Sequence, residues 1–190
     1  HLKNINAPEY NNLLVTYFIT FRFYFNHGGI KILTINILCI GKIKEKFFKD
    51  AIEEYSKRLS KYCKLHIIEL PDLKIQNTSN DSMVNEIKNK ESSNLIAHIP
   101  KDSYTICLDL NGKEYSSEKL ASHIDDLTLK TSSITFIIGG SLGLNSEILN
   151  ISNENICFSK LTFTHQMIRL FLLEQLFRSF KIINGESYHK

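Results

Sequence analysis

The chain has 190 residues, 43% of them hydrophobic, which suits one domain with a sizeable core. Its 23 Lys and Arg against 20 Asp and Glu give a formal charge of +3, which permits an RNA partner without demanding one. Cys39, Cys63, Cys107 and Cys157 are scattered singly, with no CxxC and no histidine at ligand spacing, so no metal is expected and buried thiols of a reducing compartment are.

Residues 1–30 differ in kind from the rest. The apolar stretch LLVTYFITFRFYF spans only residues 13–25 and carries Arg22, too short to span a bilayer and a poor match to a signal peptide. This segment reads as an extension outside the domain: a leader, an upstream translated stretch or an organelle-targeting remnant in which Glu9 is the sole acidic residue.

Order begins near Lys31. KILTINILCIG (31–41) is a β-rich run ending in glycine, and KEKFFKDAIEEYSKRLSKY (44–62) keeps a helical period through Phe47, Phe48, Ala51, Ile52, Tyr55 and Leu59. LHIIEL (65–70) is a short strand stopped by Pro71. A polar loop then leads to Asp81, a suitable cap for a helix through about Ala97. YTICLDL (104–110) is a strand before an Asn111-Gly112 turn, followed by a helix capped by Ser116 or Ser117. SITFIIGG (133–140) is a buried-type strand, and a short helix near 145–150, a strand over 155–159 and a last helix over 165–183 complete the pattern.

Strands alternating with helices predict an α/β fold, a mostly parallel sheet with helices on both faces. Ligands of such sheets bind beyond the carboxyl ends of strands, here 108–111, 139–143 and 159–163. Gly139, Gly140 and Gly143 follow a buried strand but match neither GxGxxG nor a P-loop, so spacing alone favours a tight turn without a ligand.

The last helix is apolar nearly all round, which predicts burial on every side and hence a subunit interface. His165 and Arg169 are four apart and share a face. Two cations beside an otherwise apolar surface suggest an anion such as phosphate. Glu174 and Arg178, roughly opposite, read as a structural i,i+4 ion pair.

Three blocks together carry a family signature: GKIKEKFFKDAIEEYSKRL (41–59), FIIGGSLGL (136–144) and FSKLTFTHQMIRLFLLEQLFRSFKIINGESYHK (158–190). From Lys31 to Lys190 the chain resembles the ribosomal RNA large subunit methyltransferase H family, the pseudouridine N3-methyltransferases of the SPOUT class. The resemblance implies a SPOUT fold whose C-terminal part threads a trefoil knot, against the usual rule that chains do not thread loops. It implies S-adenosyl-L-methionine as cofactor, held near Leu108, Gly139, Phe158, Ser159, Lys160, Leu161, Thr162 and Phe163. It implies a cytoplasmic homodimer (organellar if residues 1–30 target it) that methylates N3 of a pseudouridine in large-subunit rRNA of the assembled ribosome. His165, Arg169, Tyr188 and His189 are then the candidates beside the target base and its phosphates.

Two positions depart from the family pattern. Thr164 replaces a usual proline and can cap the last helix instead, and Leu142 replaces a residue that is more often polar. The lysine-rich helix over 42–64 could touch rRNA, with a solvated face as the default.

Overall fold

In the computed structural model, which describes residues 32–73 and 81–188, strands and helices alternate along the chain. They are β1 (Thr34–Ile40), α1 (Lys46–Leu59), β2 (Lys64–Leu70), α2 (Asp81–Ala97), β3 (Tyr104–Glu114), α3 (Ser117–Thr128), β4 (Ser133–Ile138), α4 (Ser146–Ile151), β5 (Glu154–Cys157) and α5 (His165–Ile183). Residues 1–30, read above as an extension, and His189 lie outside the described residues.

The strands form one sheet in the order β2-β1-β4-β3-β5, every neighbouring pair parallel. Alternation along β1 explains the layering. Ile35, Ile37 and Cys39 face a core built with Leu59 of α1, Leu120 and Ile124 of α3, and Leu172, Leu176 and Phe180 of α5. Leu38 and Ile40 face the opposite core, with Leu95 of α2 and Ile148 of α4. Both faces of the sheet are thus covered by helices, as near-continuous apolar strands require. Buried Asn36 pins the β1–β4 register by donating from Nδ2 to Ser133 Oγ at 3.2 Å and Thr135 Oγ1 at 3.3 Å.

Burial pushes the thiols of Cys39 and Cys63 up to about 12 and that of Cys107 up to about 11, so these thiols stay protonated at neutral pH and serve as core groups. Among the described residues no helix is long and apolar enough to cross a membrane.

Helix starts follow the expected chemistry. Ser116 Oγ accepts from the Lys119 N–H at 3.3 Å, and Thr164 Oγ1 accepts from the Met167 N–H at 3.3 Å, so threonine does cap α5. Asp81 is the first helical residue of α2 rather than a cap outside it.

The strand β3 departs from expectation. Asn111-Gly112 does not end it. Leu108 and Lys113 both pair with Ile156, so residues 109–112 bulge out and pairing resumes through Glu114. Two local features build the bulge. The Asn111 N–H donates to Asp109 Oδ1 at 2.8 Å, and Gly112 packs so closely on β5 that a Cβ would lie 2.5 Å from the Ile156 carbonyl carbon.

Candidate functional site

The carboxyl ends of the strands meet the start of α5 along one edge of the sheet. Register makes the three strand ends singled out from sequence contiguous: Cys107 of β3 pairs with Ile137 of β4, and Leu108 pairs with Ile156 of β5. Gly139 follows β4 directly, and Phe158 follows β5.

The segment 158–164 leaves the sheet and returns to the β3 bulge. Lys160 Nζ donates to the Leu110 carbonyl at 2.9 Å and stands 3.6 Å from Glu114 Oε1. Leu110 and Leu161, on the two segments that this bond joins, are uncovered apolar side chains, 44% and 70% exposed. Ser159 shapes the turn, its Oγ accepting from the Leu161 N–H at 3.0 Å. On the α3–α5 side, Phe158, Ser159 and Phe163 line a cavity of about 250 Å³ with Tyr115, Phe171 and Gln175. Leu108, Gly139, Lys160, Leu161 and Thr162 are not part of that lining. The Leu108 side chain instead packs against the core beneath α5.

The glycine loop is a turn closed on itself. The Gly143 N–H donates to the Gly140 carbonyl at 3.1 Å, and Gly143 takes a φ of +74°, which favours glycine. A Cβ at Gly139 would lie 2.8 Å from the Gly143 carbonyl carbon, so the room left by that missing side chain is filled by the loop's own backbone. Helix α2 brackets the loop from outside: Ser92 Oγ accepts from the Asn145 N–H at 3.1 Å and Asn89 Oδ1 accepts from Asn145 Nδ2 at 3.0 Å.

Between these two bonds sits Glu91, a buried carboxylate that residue patterning did not single out. Its Oε1 accepts from the Leu73 N–H at 2.9 Å, while its Oε2 lies 2.9 Å from where a Gly140 Cβ would be. Desolvation holds its carboxyl above the ordinary glutamate range, opposed by the Leu73 hydrogen bond and reinforced by Asp72. A signal was available: Ile87, Glu91 and Leu95 are spaced by four, so a carboxylate falls on the buried stripe of α2.

Arg169 requires a correction. The anion-site reading expects a solvated cation facing RNA, yet Arg169 is 1% exposed. Its Nη1 donates to Glu69 Oε1 at 2.8 Å, and its Nη2 donates to the carbonyls of Ile40 and Gly41, each at 2.7 Å. Nε is buried without a partner among the described residues. The anion that Arg169 holds is therefore the chain's own Glu69, which sits in β2 where LHIIEL interrupts an apolar run with a charge.

His165, one turn earlier, lies over the backbone of Gly41, so that a Cβ at Gly41 would be 3.1 Å from its Nε2. Burial, then the positive charge of Arg169, hold its imidazole below the ordinary histidine value. Glu69 Oε1 also accepts from the Ile43 N–H at 3.0 Å, and Gln166 Oε1 accepts from the Lys44 N–H at 3.1 Å. The strap from Gly41 to Glu45 is thereby fixed onto the start of α5.

Tyr188 is not beside His165 within this chain. Its hydroxyl donates to Glu174 Oε1 at 3.3 Å, nine residues and about 14 Å of helix from His165. Its ring packs edge-on to Phe177 at 5.0 Å, under the Arg178 guanidinium at 4.9 Å. Desolvation, with Tyr55 and Glu174 nearby, pushes the phenol up to about 12. Glu174 and Arg178 form the expected ion pair at 2.6 Å. The tail is tied down by Glu186, which accepts from Lys181 Nζ at 2.6 Å and the Tyr62 hydroxyl at 3.0 Å.

Two outcomes follow from these contacts. Arg169→Ala strands Glu69 and two buried carbonyls, and is expected to lower stability by about 3–5 kcal/mol, read as a shift of the urea midpoint. Glu91→Gln keeps an acceptor for the Leu73 N–H but removes the charge. Because the folded state holds the Glu91 proton more tightly than the unfolded chain, wild-type stability falls as pH rises above the ordinary value of 4.5. Urea titrations from pH 4 to 7 should show Glu91→Gln gaining on the wild type as pH rises.

Comparisons with known proteins agree on one family. A family model described as "Predicted SPOUT methyltransferase" matches residues 33–189. The Ribosomal RNA large subunit methyltransferase H of Clostridium novyi is 54% identical over 159 residues, covering 83% of this chain and 100% of that protein. The protein of Methanococcus maripaludis named as a putative ribosomal RNA large subunit methyltransferase H is 52% identical over the same shares, 83% and 100%. That of Clostridium tetani, also named Ribosomal RNA large subunit methyltransferase H, is 49% identical over 83% of this chain and 100% of its own length. The chain belongs to the SPOUT methyltransferase family.

Proposed function

We propose that the chain methylates N3 of a pseudouridine in large-subunit rRNA of the assembled ribosome, using S-adenosyl-L-methionine. The observation that carries this reading is the 54% identity along the whole length of a protein named as a large-subunit rRNA methyltransferase. The active form is a cytoplasmic homodimer whose C-terminal part is threaded as a trefoil knot, and the domain is residues 31–190. The apolar side chains of Leu161, Phe163, Met167 and Phe171, uncovered in the single chain, support the dimer.

The residues at the strand ends fit the cofactor. Leu110 and Leu161 are uncovered apolar side chains on the segments that Lys160 ties together, available to a flat base, and the chain from Phe158 to Phe163 has main-chain groups outside any ladder. Leu108, Gly139, Phe158, Ser159, Lys160, Leu161, Thr162 and Phe163 would hold the cofactor, which when bound supplies an electrophilic methyl group.

The chain's own part in the chemistry is alignment and a proton acceptor. Attack by N3 needs its proton removed. His165 is suited to accept it, because its imidazole is held in the neutral form and makes no hydrogen bond among the described residues. Arg169 acts on the base only through His165 and Glu69, by keeping the imidazole uncharged and the strap in place. Tyr188, with its proton held tightly, is a donor rather than an acceptor, and it is bonded to Glu174, about 14 Å of helix from His165.

The test is incubation of ribosomes lacking the mark with the chain and S-adenosyl-L-methionine, followed by mass spectrometry of nucleosides. Methyl on the pseudouridine base is expected. Methyl on a ribose 2′-oxygen, or none with no cofactor heat in calorimetry, rejects the reading. A depressed histidine pKa leaves the base active until pH falls below the ordinary 6.5. His165→Gln should therefore lower kcat by about 10²–10⁴ and abolish the acid limb of the kcat profile.

A further inference from the structure

The strap and the first turn of α1 present side chains that the cofactor region does not use. Phe47 is 65% exposed, the neighbouring ring of Phe48 lying 4.4 Å away between centroids. The inward face of α1 runs through Phe48, Ile52, Tyr55 and Leu59, and Phe47 stands about 100° off it. One exposed ring needs no partner by itself, so what it could serve is read from the charges on the same segment.

Its surroundings say which partner. Residues 42–49 carry Lys42, Lys44, Lys46 and Lys49 against a single carboxylate, Glu45. Lys46 is paired with Asp50 at 2.6 Å, whereas Lys42, Lys44 and Lys49 are exposed and form no salt bridge among the described residues. Lysine is depleted at the centre of protein–protein interfaces, which argues against a second copy of this chain. An exposed aromatic ring on a segment that also carries three exposed lysines suits single-stranded nucleic acid, whose bases stack and whose phosphates need counter-charge. The position is also anchored: Lys44 is bonded to Gln166, next to His165, and Phe47 stands within about 11 Å of Lys44 along the chain.

We propose that Phe47, with Lys42, Lys44 and Lys49, is the docking platform for an unpaired nucleotide beside the target base. The ring stacks on the neighbouring base, and the lysines neutralise the flanking phosphates. This rests on the RNA methyl transfer proposed above and assigns where the strand enters.

The experiment is binding of the full chain to ribosomes lacking the mark, titrated with salt, alongside calorimetry with S-adenosyl-L-methionine. Phe47→Ala should weaken ribosome binding about tenfold with cofactor affinity unchanged, and Phe47→Trp should restore it. Replacing Lys42, Lys44 and Lys49 together by glutamine should flatten the slope of log K against log salt by about 2. Lys130→Gln, at the amino edge of the sheet, should leave that slope alone. Wild-type ribosome affinity in Phe47→Ala overturns the platform, as does a parallel loss of cofactor affinity or dissociation of a dimer in sedimentation. A wild-type chain that binds ribosomes with the steep slope yet leaves the pseudouridine unmethylated overturns the assigned reaction and leaves the platform standing.

Discussion

The guanidinium of Arg169 reaches from the first turn of α5 to the exits of two strands. It takes Glu69 at the end of β2 and the carbonyls of Ile40 and Gly41 at the end of β1. Ile40 makes the last pairing of β1 and Gly41 follows it, so the guanidinium serves as donor to two buried carbonyls where the strand ends. One side chain thus joins β1, β2 and α5 at the carboxyl edge of the sheet. The other groups of that corner depend on it. Glu69, held in place, also fixes Ile43, and the strap so formed carries Lys44 to Gln166 and sets the floor beneath His165.

A second constraint shapes the other half of the edge. The β3 bulge pushes residues 109–112 out of the ladder, and Lys160 reaches back to the carbonyl of Leu110. The segment after β5 is therefore held against the end of β3 rather than left free. On the opposite side α2 fastens the glycine loop through Asn89, Glu91 and Ser92. Burying a carboxylate there costs stability, as desolvation of Glu91 indicates. Its hydrogen bond to Leu73 offsets part of that and links the β2 exit to the loop.

Much of the architecture was legible in residue order. Apolar strands alternating with amphipathic helices gave the layer arrangement, Ser116 and Thr164 marked two helix starts, and Glu174–Arg178 was recognisable as an i,i+4 pair. The strand ends at 108–111, 139–143 and 159–163 were identifiable from residue order, and the pairing of β3 with β4 and β5 makes those strands neighbours. What misled was local reasoning about side chains whose partners are distant. Asn111-Gly112 looked like the end of a strand because a turn dipeptide carries no information about β5 packing behind it. Arg169 looked solvated because its partner Glu69 is a hundred residues away in sequence.

Sequence by itself determined the fold class, the succession of elements and, through three motif blocks, membership of a methyltransferase family. Periodicity and capping act over a few residues, so they survive without knowledge of the rest of the chain. Only the tertiary structure decided which charges are spent inside the molecule and which remain for a partner. Arg169 and Glu91 went inward, while Phe47 and its lysines stayed in water. The reason is physical: a side chain's ionic partner and its exposure are set by which strand end the fold brings alongside it, and that is not written in its neighbours.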